Sequence, residues 1–397
     1  MKILVVCQHY WPEPYPLEDV CEEMVRRGHE VHVVTGVPNY PMGEIYADYR
    51  KGKQRRQTHN GVRISRTFTI GRRHNLLFRF LNYYSYAISS SIFTRRLKEE
   101  YDVVFANQTS PVMMSSAAFA YAKKWKKKVI LYCMDLWPAS LAAGGIQERS
   151  LIYRYYKRVS GKLYRKADRL LISSRMFQGY LEKNFGIPSE KIKYHPQYAD
   201  GRFEAGADSP LKQKETIDLM FAGNVGAAQS LMTVIEAADL LRDEQNLRWH
   251  IVGEGSELEK LKQAARERDL INVIFHGRKP LEEMPRYYAM ADAMLVTLTE
   301  DPVISLTLPQ KVQTYMAAGK PVIAAADGEI PSVIRRANCG YCAAARDAQG
   351  LADAVRRFIA CENKAQLGAN ARKYYEKHFE RARFMDRFEE ELSMYKS

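Results

Sequence analysis

Leu306 to Ala325 reads LTLPQKVQTYMAAGKPVIAA. Pro309 suits the first turn of a helix, where its missing N–H costs nothing, so the spacing predicts a helix over about 309–318. Gly319-Lys320-Pro321 ends that helix and opens a buried strand, Val322-Ile323-Ala324. A helix start offers free N–H groups and about half a positive charge, and Lys311 in the first turn adds a full one. A diphosphate would suit this place. The plainer reading is an ordinary helix–strand unit with a solvated lysine.

Outward from this unit the same rhythm repeats. Strands are expected at Asp218–Ala222, Arg248–Val252, Val273–His276, Ala293–Val296 and Pro321–Ala325, with helices near 229–243, 255–268, 282–290, 309–318, 331–336 and 349–360. The first half predicts strands at Ile3–Cys7, Glu30–Thr35, Val62–Thr67, Val103–Ala106, Val129–Cys133 and Arg169–Ile172. Its helices fall near 17–28, 75–98, 112–125, 150–166 and 175–184. Near-continuous apolar strands alternating with helices predict an α/β protein with parallel, doubly covered sheets. Between the halves, His195 to Thr216 (HPQYADGRFEAGADSPLKQKET) is polar and aperiodic. The reading is a domain over 1–198, a linker over 199–216, a second domain over 217–362 and a C-terminal helical segment over 363–397, which could pack on either domain. Two doubly wound, Rossmann-like domains so joined would face each other across a cleft, at the carboxyl ends of their strands.

Four short turns close successive strands of the second half: Gly223-Asn224-Val225-Gly226 (followed by Gln229), Val252-Gly253-Glu254-Gly255, His276-Gly277-Arg278-Lys279, and the Leu308-Pro309 helix start. Glycine there lets backbone approach a phosphate. Any one such turn is weak evidence; four in one sheet are more telling.

Composition is that of an ordinary globular protein, 46% hydrophobic and 27% charged. No signal peptide and no membrane span is read: Phe80 to Thr94 would reach only about 22 Å as a helix, against a hydrocarbon core of roughly 30 Å. The six cysteines are scattered, and the one C-x-x-C (Cys339, Cys342) has no second pair, which favours a reduced cytoplasmic compartment over a zinc site. The net charge of +14 is lopsided: residues 1–200 hold 33 Lys and Arg against 17 Asp and Glu, and residues 201–397 hold 27 against 29. The first half therefore faces something anionic.

The series GNVGAAQ, HIVGEGSELEKL, VIFHGRKPLEEMPRYYAMADAMLV and LPQKVQTYMAAGKPVIAA resembles the donor domain of family-4 glycosyltransferases, retaining enzymes of the GT-B fold. In the first half, CQHYWPEPYPLEDVCEEMVRRGHEVHVVTGVPNYPMGEIY and LYCMDLWPASL resemble the branch holding N-acetylfucosaminyl-type and colanic-acid-type transferases of bacterial surface polysaccharide assembly. The resemblance spans nearly the whole chain. It implies that Gly223, Asn224, Gly226, Gln229, Leu308, Pro309 and Lys311 surround a donor diphosphate, that Arg278 and Lys279 flank the base, and that Glu254 sits close by. Asp135 and Glu13 would work at the sugar or activate the acceptor hydroxyl; the bland alternatives are a cap or partner of Trp137 for Asp135, and a loop residue for Glu13.

Three departures stand out, the first being Pro12-Glu13-Pro14-Tyr15-Pro16 in place of a Gly-Gly loop after strand one. Many members carry a Glu-x7-Glu pair where this chain has Leu306 and Thr314, and Ala139 replaces Glu in the D-L-W-P-E-S pattern. The expected activity is a metal-independent transfer of sugar from a nucleotide sugar, a UDP-sugar, to a lipid-diphosphate-linked saccharide. No Asp-x-Asp occurs, His29-x-x-His32 reads as structural, and neither metal nor other cofactor is expected. A non-catalytic subunit, or a nucleotide-sugar epimerase, is the alternative. Residues 72–128 combine an apolar face (Leu77, Leu81, Tyr84, Ile88, Ile92) with Arg72, Arg73, Arg79, Arg95, Arg96 and the lysines at 123, 124 and 126–128. That pattern suits peripheral attachment to the anionic inner face of the plasma membrane; the alternative is a core-facing helix with a solvated basic rim. Nucleic acid is not expected, because no binding motif is present.

Overall fold

The computed structural model describes residues 1–73, 76–143, 145–204 and 216–396. Most of the expected linker, residues 205–215, and the start of the helix expected at 75 lie outside these. The chain forms two compact units: unit 1 holds Met1–His195 together with Met385–Ser397, and unit 2 holds Pro196–Phe384.

Unit 1 runs β1 (Lys2–Val6), α1 (Leu17–Arg26), β2 (Glu30–Thr35), β3 (Arg56–His59), β4 (Val62–Arg66), α2 (Leu76–Arg96), β5 (Val103–Gln108), α3 (Ser116–Trp125), β6 (Val129–Cys133), α4 (Ala139–Ala143), α5 (Leu151–Lys166), β7 (Arg169–Ile172), α6 (Phe177–Phe185) and β8 (Ile192–Tyr194). Its sheet has the order β3-β4-β2-β1-β5-β6-β7-β8, parallel except for the β3–β4 pair. The order reverses between β1 and β5. Loops leaving the carboxyl ends of these two strands therefore diverge to opposite faces and leave a crevice, the usual ligand position in such sheets.

Unit 2 runs β9 (Ile217–Ala222), α7 (Met232–Leu240), β10 (Leu247–Val252), α8 (Leu258–Glu267), β11 (Val273–Gly277), α9 (Met284–Met290), β12 (Ala293–Thr297), α10 (Gln310–Ala317), β13 (Val322–Ala325), α11 (Glu329–Ala337), β14 (Gly340–Ala343), α12 (Ala348–Ala360) and α13 (Lys364–His378). The sheet order is β11-β10-β9-β12-β13-β14, all parallel, with its switch point between β9 and β12. Trp249, Phe221, Ile251, Leu295 and Phe358 lie fully buried between the sheet and its helices. Two doubly wound, Rossmann-like domains are thus present.

The C-terminal stretch divides between the units. In α13, Tyr375 accepts from the Ala199 N–H and donates to Glu204 within unit 2. In α14 (Arg381–Met394), Phe388 packs edge-on against Phe105, and Glu391 takes a two-toothed bond from Arg169 at 2.6 and 2.9 Å within unit 1. His29 bonds Glu389 and His32 bonds Ser65 and Tyr101, so both histidines are structural.

α2 is turned opposite to the usual sense. Its buried face is Asn82, Tyr83, Tyr86, Ser90 and Thr94, whereas Leu77, Leu81, Ile88 and Ile92 are exposed, Leu77 by 65% and Ile88 by 58%. The buried polar groups are satisfied. Asn82 donates to the Ile70 carbonyl and accepts from Gln8, Tyr86 donates to the Cys7 carbonyl, and Thr94 donates to the Ala117 carbonyl. The expected apolar face is therefore real, but it does not serve the core.

Candidate functional site

In unit 2 the site begins where β9 ends. Gly223 takes φ +143 and Gly253, after β10, takes φ +144, a conformation open to glycine. A Cβ on Gly253 would lie 1.8 Å from the Gly223 carbonyl oxygen, and one on Gly255 would lie 2.2 Å from that of Val225. The two turns are laced by the Val225 N–H to Glu254 O (2.8 Å) and the Glu257 N–H to Val225 O (3.1 Å). These glycines thus serve first to let two loops touch. A Cβ on Gly223 would come 3.3 Å from the Lys311 Nζ, and one on Gly226 would come 2.7 Å from the Asn224 Nδ2.

α10 brings Lys311 to the same place. Pro309 is its N-cap, in extended conformation, so the helix starts one residue later than the sequence predicts and Lys311 is its second residue. The Tyr315 hydroxyl clamps the helix to the end of β9 through both the N–H and the carbonyl of Ala222. The Lys311 ammonium donates to the Gln229 side chain and lies 4.2 Å over the Phe221 ring. It has no carboxylate partner among the described residues. Burial lowers its pKa to about 7, because an ammonium away from water is costly.

Gly223, Gln229 and Lys311 are therefore brought together, and Asn224 with Gly226 shapes the adjoining turn. Leu308 is buried beside the helix start. Glu254 joins through its backbone only; its side chain is exposed. Arg278 and Lys279 follow β11, one strand further out, with Lys279 5.8 Å from the Tyr287 ring and Arg278 exposed. Thr314 spends its hydroxyl on the Gln310 carbonyl, so the position of the second family Glu holds a self-satisfied side chain.

In unit 1, Asp135 follows β6. One carboxylate oxygen accepts from Ser140 at 2.7 Å and the other from Ser110, which itself accepts from the Trp137 indole N–H. Burial raises its pKa, and the two hydroxyls offset part of that rise. Glu13 is buried, 2% exposed, and accepts from the Asn39 and Tyr40 backbone N–H groups at 2.8 and 2.7 Å. It also meets the His9 Nδ1 at 3.0 Å. Sequence reasoning singled out Glu13 and missed its partner His9, four residues before it and three past the end of β1.

Two family descriptions fit the chain. Residues 17–198 match Glycosyltransferase Family 4 and residues 203–374 match Glycosyl transferases group 1. The chain belongs to the glycosyltransferases and carries the two domains of the GT-B fold. Among its relatives, WcaI of Escherichia coli (strain K12), assigned to colanic acid biosynthesis as a glycosyl transferase, is 27% identical over 82% of this chain and 84% of its own. WbjE of Pseudomonas aeruginosa, likewise assigned as a glycosyltransferase, is 25% identical over 72% and 73%. In fold the chain is similar to HepE (Alr3699) of Anabaena, solved with UDP and glucose: TM-score 0.68, 17% identity, 99% of both chains covered.

Proposed function

We propose that the protein moves a sugar from a UDP-sugar onto a saccharide carried by a lipid diphosphate, in the assembly of a surface polysaccharide. The observation that carries this reading is Lys311: a half-buried ammonium at a helix start, beside glycine turns, with no carboxylate partner among the described residues. A nucleoside diphosphate supplies an anion there. The UDP held by the HepE structure and the colanic acid assignment of WcaI support it. As the diphosphate leaves, charge grows on its oxygens. Lys311 and the free N–H groups of α10 oppose that charge without calling for a metal or other cofactor. Retention of configuration is what the family-4 resemblance implies. Arg278 and Lys279 would flank the base, and Asp135 would face the sugar.

The inverted helix α2 supports a membrane-bound acceptor. Its exposed leucines and isoleucines stand with Arg79, Arg95 and Arg96, and α5 adds exposed Leu151, Ile152 and Tyr155 with Arg154 and Arg158. The two helices touch through the Tyr84–Tyr156 hydroxyl pair at 3.0 Å. Apolar side chains rimmed by cations fit an anionic lipid surface, here the inner face of the plasma membrane. The lysines near 123–128 contribute less: Lys127 and Lys128 are paired with Glu100 and Asp168.

Calorimetric titration with UDP and GDP, on wild type and Lys311→Ala, tests the donor reading. UDP binding weakened at least tenfold in the variant is expected. Absence of nucleotide binding would instead favour a subunit without catalysis, the reading that Leu306 and Thr314 in place of the carboxylate pair favour.

A further inference from the structure

The acidic residues of α1 divide into two sets. Asp19 and Glu23 are paired with Arg26 and Arg27 at the end of the helix. Glu18 and Glu22, one turn apart, have no lysine or arginine partner among the described residues, and both turn towards one imidazole. His59 ends β3, and its Nε2 stands 3.1 Å from the Glu18 Oε1 and 3.8 Å from the Glu22 Oε1. One ligand atom from each of the three residues lies within 4.8 Å of the other two. The two elements meet independently of this cluster: a Cβ on Gly61, in the β3–β4 turn, would lie 2.6 Å from a Val25 methyl of α1. The imidazole is fixed from its face as well. The Trp11 indole lies flat on it, centroids 3.9 Å apart and planes 16° from parallel, and the Trp11 carbonyl accepts from Arg66 at 2.6 Å. Asn60 donates to the Glu22 carboxylate at 2.8 Å, its nitrogen 3.3 Å from the same Nε2. Burial and the neighbouring Glu22 charge raise the Glu18 pKa, as expected of crowded carboxylates that lack a full countercharge.

We infer that Glu18, Glu22 and His59 form a binding site for a divalent transition-metal ion of the Zn²⁺ class. In a tetrahedral shell with bonds of about 2.0–2.2 Å, neighbouring ligand atoms stand roughly 3.3 Å apart, so small side-chain rotations seat an ion among these three. An imidazole nitrogen beside two carboxylate oxygens suits Zn²⁺ or Mn²⁺, of which Zn²⁺ binds such sets more tightly. Mg²⁺ and Ca²⁺ prefer oxygen alone. Two carboxylates and a neutral imidazole together carry the two negative charges that balance the ion, and the half-exposed side leaves the fourth position to water. The ion joins α1 to the end of β3, 41 residues further along the chain from Glu18, which is why no spacing in the sequence shows the site. Trp11, stacked on the coordinating ring, ties the loop after β1 to the same brace. The site lies wholly within unit 1 and takes no part in the chemistry of transfer, so it stands or falls apart from the sugar-transfer reading.

The test titrates Zn²⁺ into the whole chain, first stripped with a chelator, and follows calorimetry and tryptophan emission together. Wild type, His59→Gln, Glu22→Gln and Trp11→Phe are compared, each first checked for an intact thermal transition without metal; the first two positions are partly exposed, so the fold should tolerate both changes. Wild type should bind Zn²⁺ with a change in emission, because the Trp11 indole lies against the coordinating ring. Affinity should fall by at least about tenfold in His59→Gln and in Glu22→Gln, since even an outer partner of a metal ligand is worth that much. Zn²⁺ should raise the thermal transition of wild type and leave that of His59→Gln where it was. Trp11→Phe should keep the binding and lose the emission change. A wild type that binds no Zn²⁺ overturns the inference, as does either ligand variant that binds it as wild type does. An emission change that survives in Trp11→Phe places the ion elsewhere and overturns it too.

Discussion

At the carboxyl ends of their strands the two units are built from different material. Unit 2 presents glycine turns packed backbone to backbone, with one ammonium laid across them by a neighbouring helix. Unit 1 presents side chains bonded to one another: Glu13 to His9, Asp135 to Ser110 and Ser140, Gln8 to Asn82. Such a backbone cradle offers N–H groups whose positions do not depend on rotamers, which suits a phosphate common to many ligands. A mesh of side chains can be changed one member at a time, which suits recognition of a particular sugar or acceptor.

The contrast can be broken most severely at Gly253. An added methyl would meet the Gly223 carbonyl at 1.8 Å, in a φ region closed to other residues, so Gly253→Ala should destabilise unit 2 by about 3 kcal/mol or more. Scanning calorimetry would show a lowered transition; an unchanged one would mean the loops do not touch as described. Next comes Glu13→Ala, which strips the acceptor from two backbone N–H groups. A loss of about 2–3 kcal/mol is expected in chemical denaturation, since each buried donor left unpaired is costly.

A sharper probe is the pH dependence of UDP affinity. Burial holds the Lys311 pKa at about 7, so in the free protein its charge is present below pH 7 and lost above it. A bound diphosphate favours the charged form, and binding must then draw in a proton. Affinity should fall with rising pH, about tenfold per unit above 7 at the limit, with proton uptake visible as a buffer-dependent enthalpy. Affinity flat from pH 6 to 8.5 would take Lys311 out of the site. The smallest effect belongs to the outer face of α2. Ile88→Gln should alter stability by no more than about 0.5 kcal/mol. It should weaken co-sedimentation with phosphatidylglycerol vesicles about fivefold, the worth of one partly buried apolar side chain. Sedimentation that ignores anionic lipid or salt would count against the membrane surface.

Much of this was legible from the sequence where the signal is local. The strands Glu30–Thr35, Val129–Cys133 and Arg169–Ile172 were read to the residue, because a parallel strand covered on both faces is a near-continuous apolar run. The edge strands Arg56–His59, Ile192–Tyr194 and Gly340–Ala343 were not, since an edge half open to water keeps a mixed composition. The glycine turns and Lys311 were likewise visible, each motif lying within a few residues. The hold on Glu13 was hidden: its amide partners are 26 and 27 residues away, and only folding brings them together. The helical period of α2 revealed an apolar face but not which way it turns. That is decided by backbone carbonyls waiting for Tyr86 and Thr94.

α14 has a consequence for how the molecule is made. Residues 385–397 complete unit 1, filling the space against Phe105 and neutralising Arg27 and Arg169, yet they follow all of unit 2 along the chain. On the ribosome, the first half emerges with that helix position vacant and must wait while some 190 residues of the second unit are translated. The second unit, continuous in sequence, can fold as it emerges; the first is finished only after it.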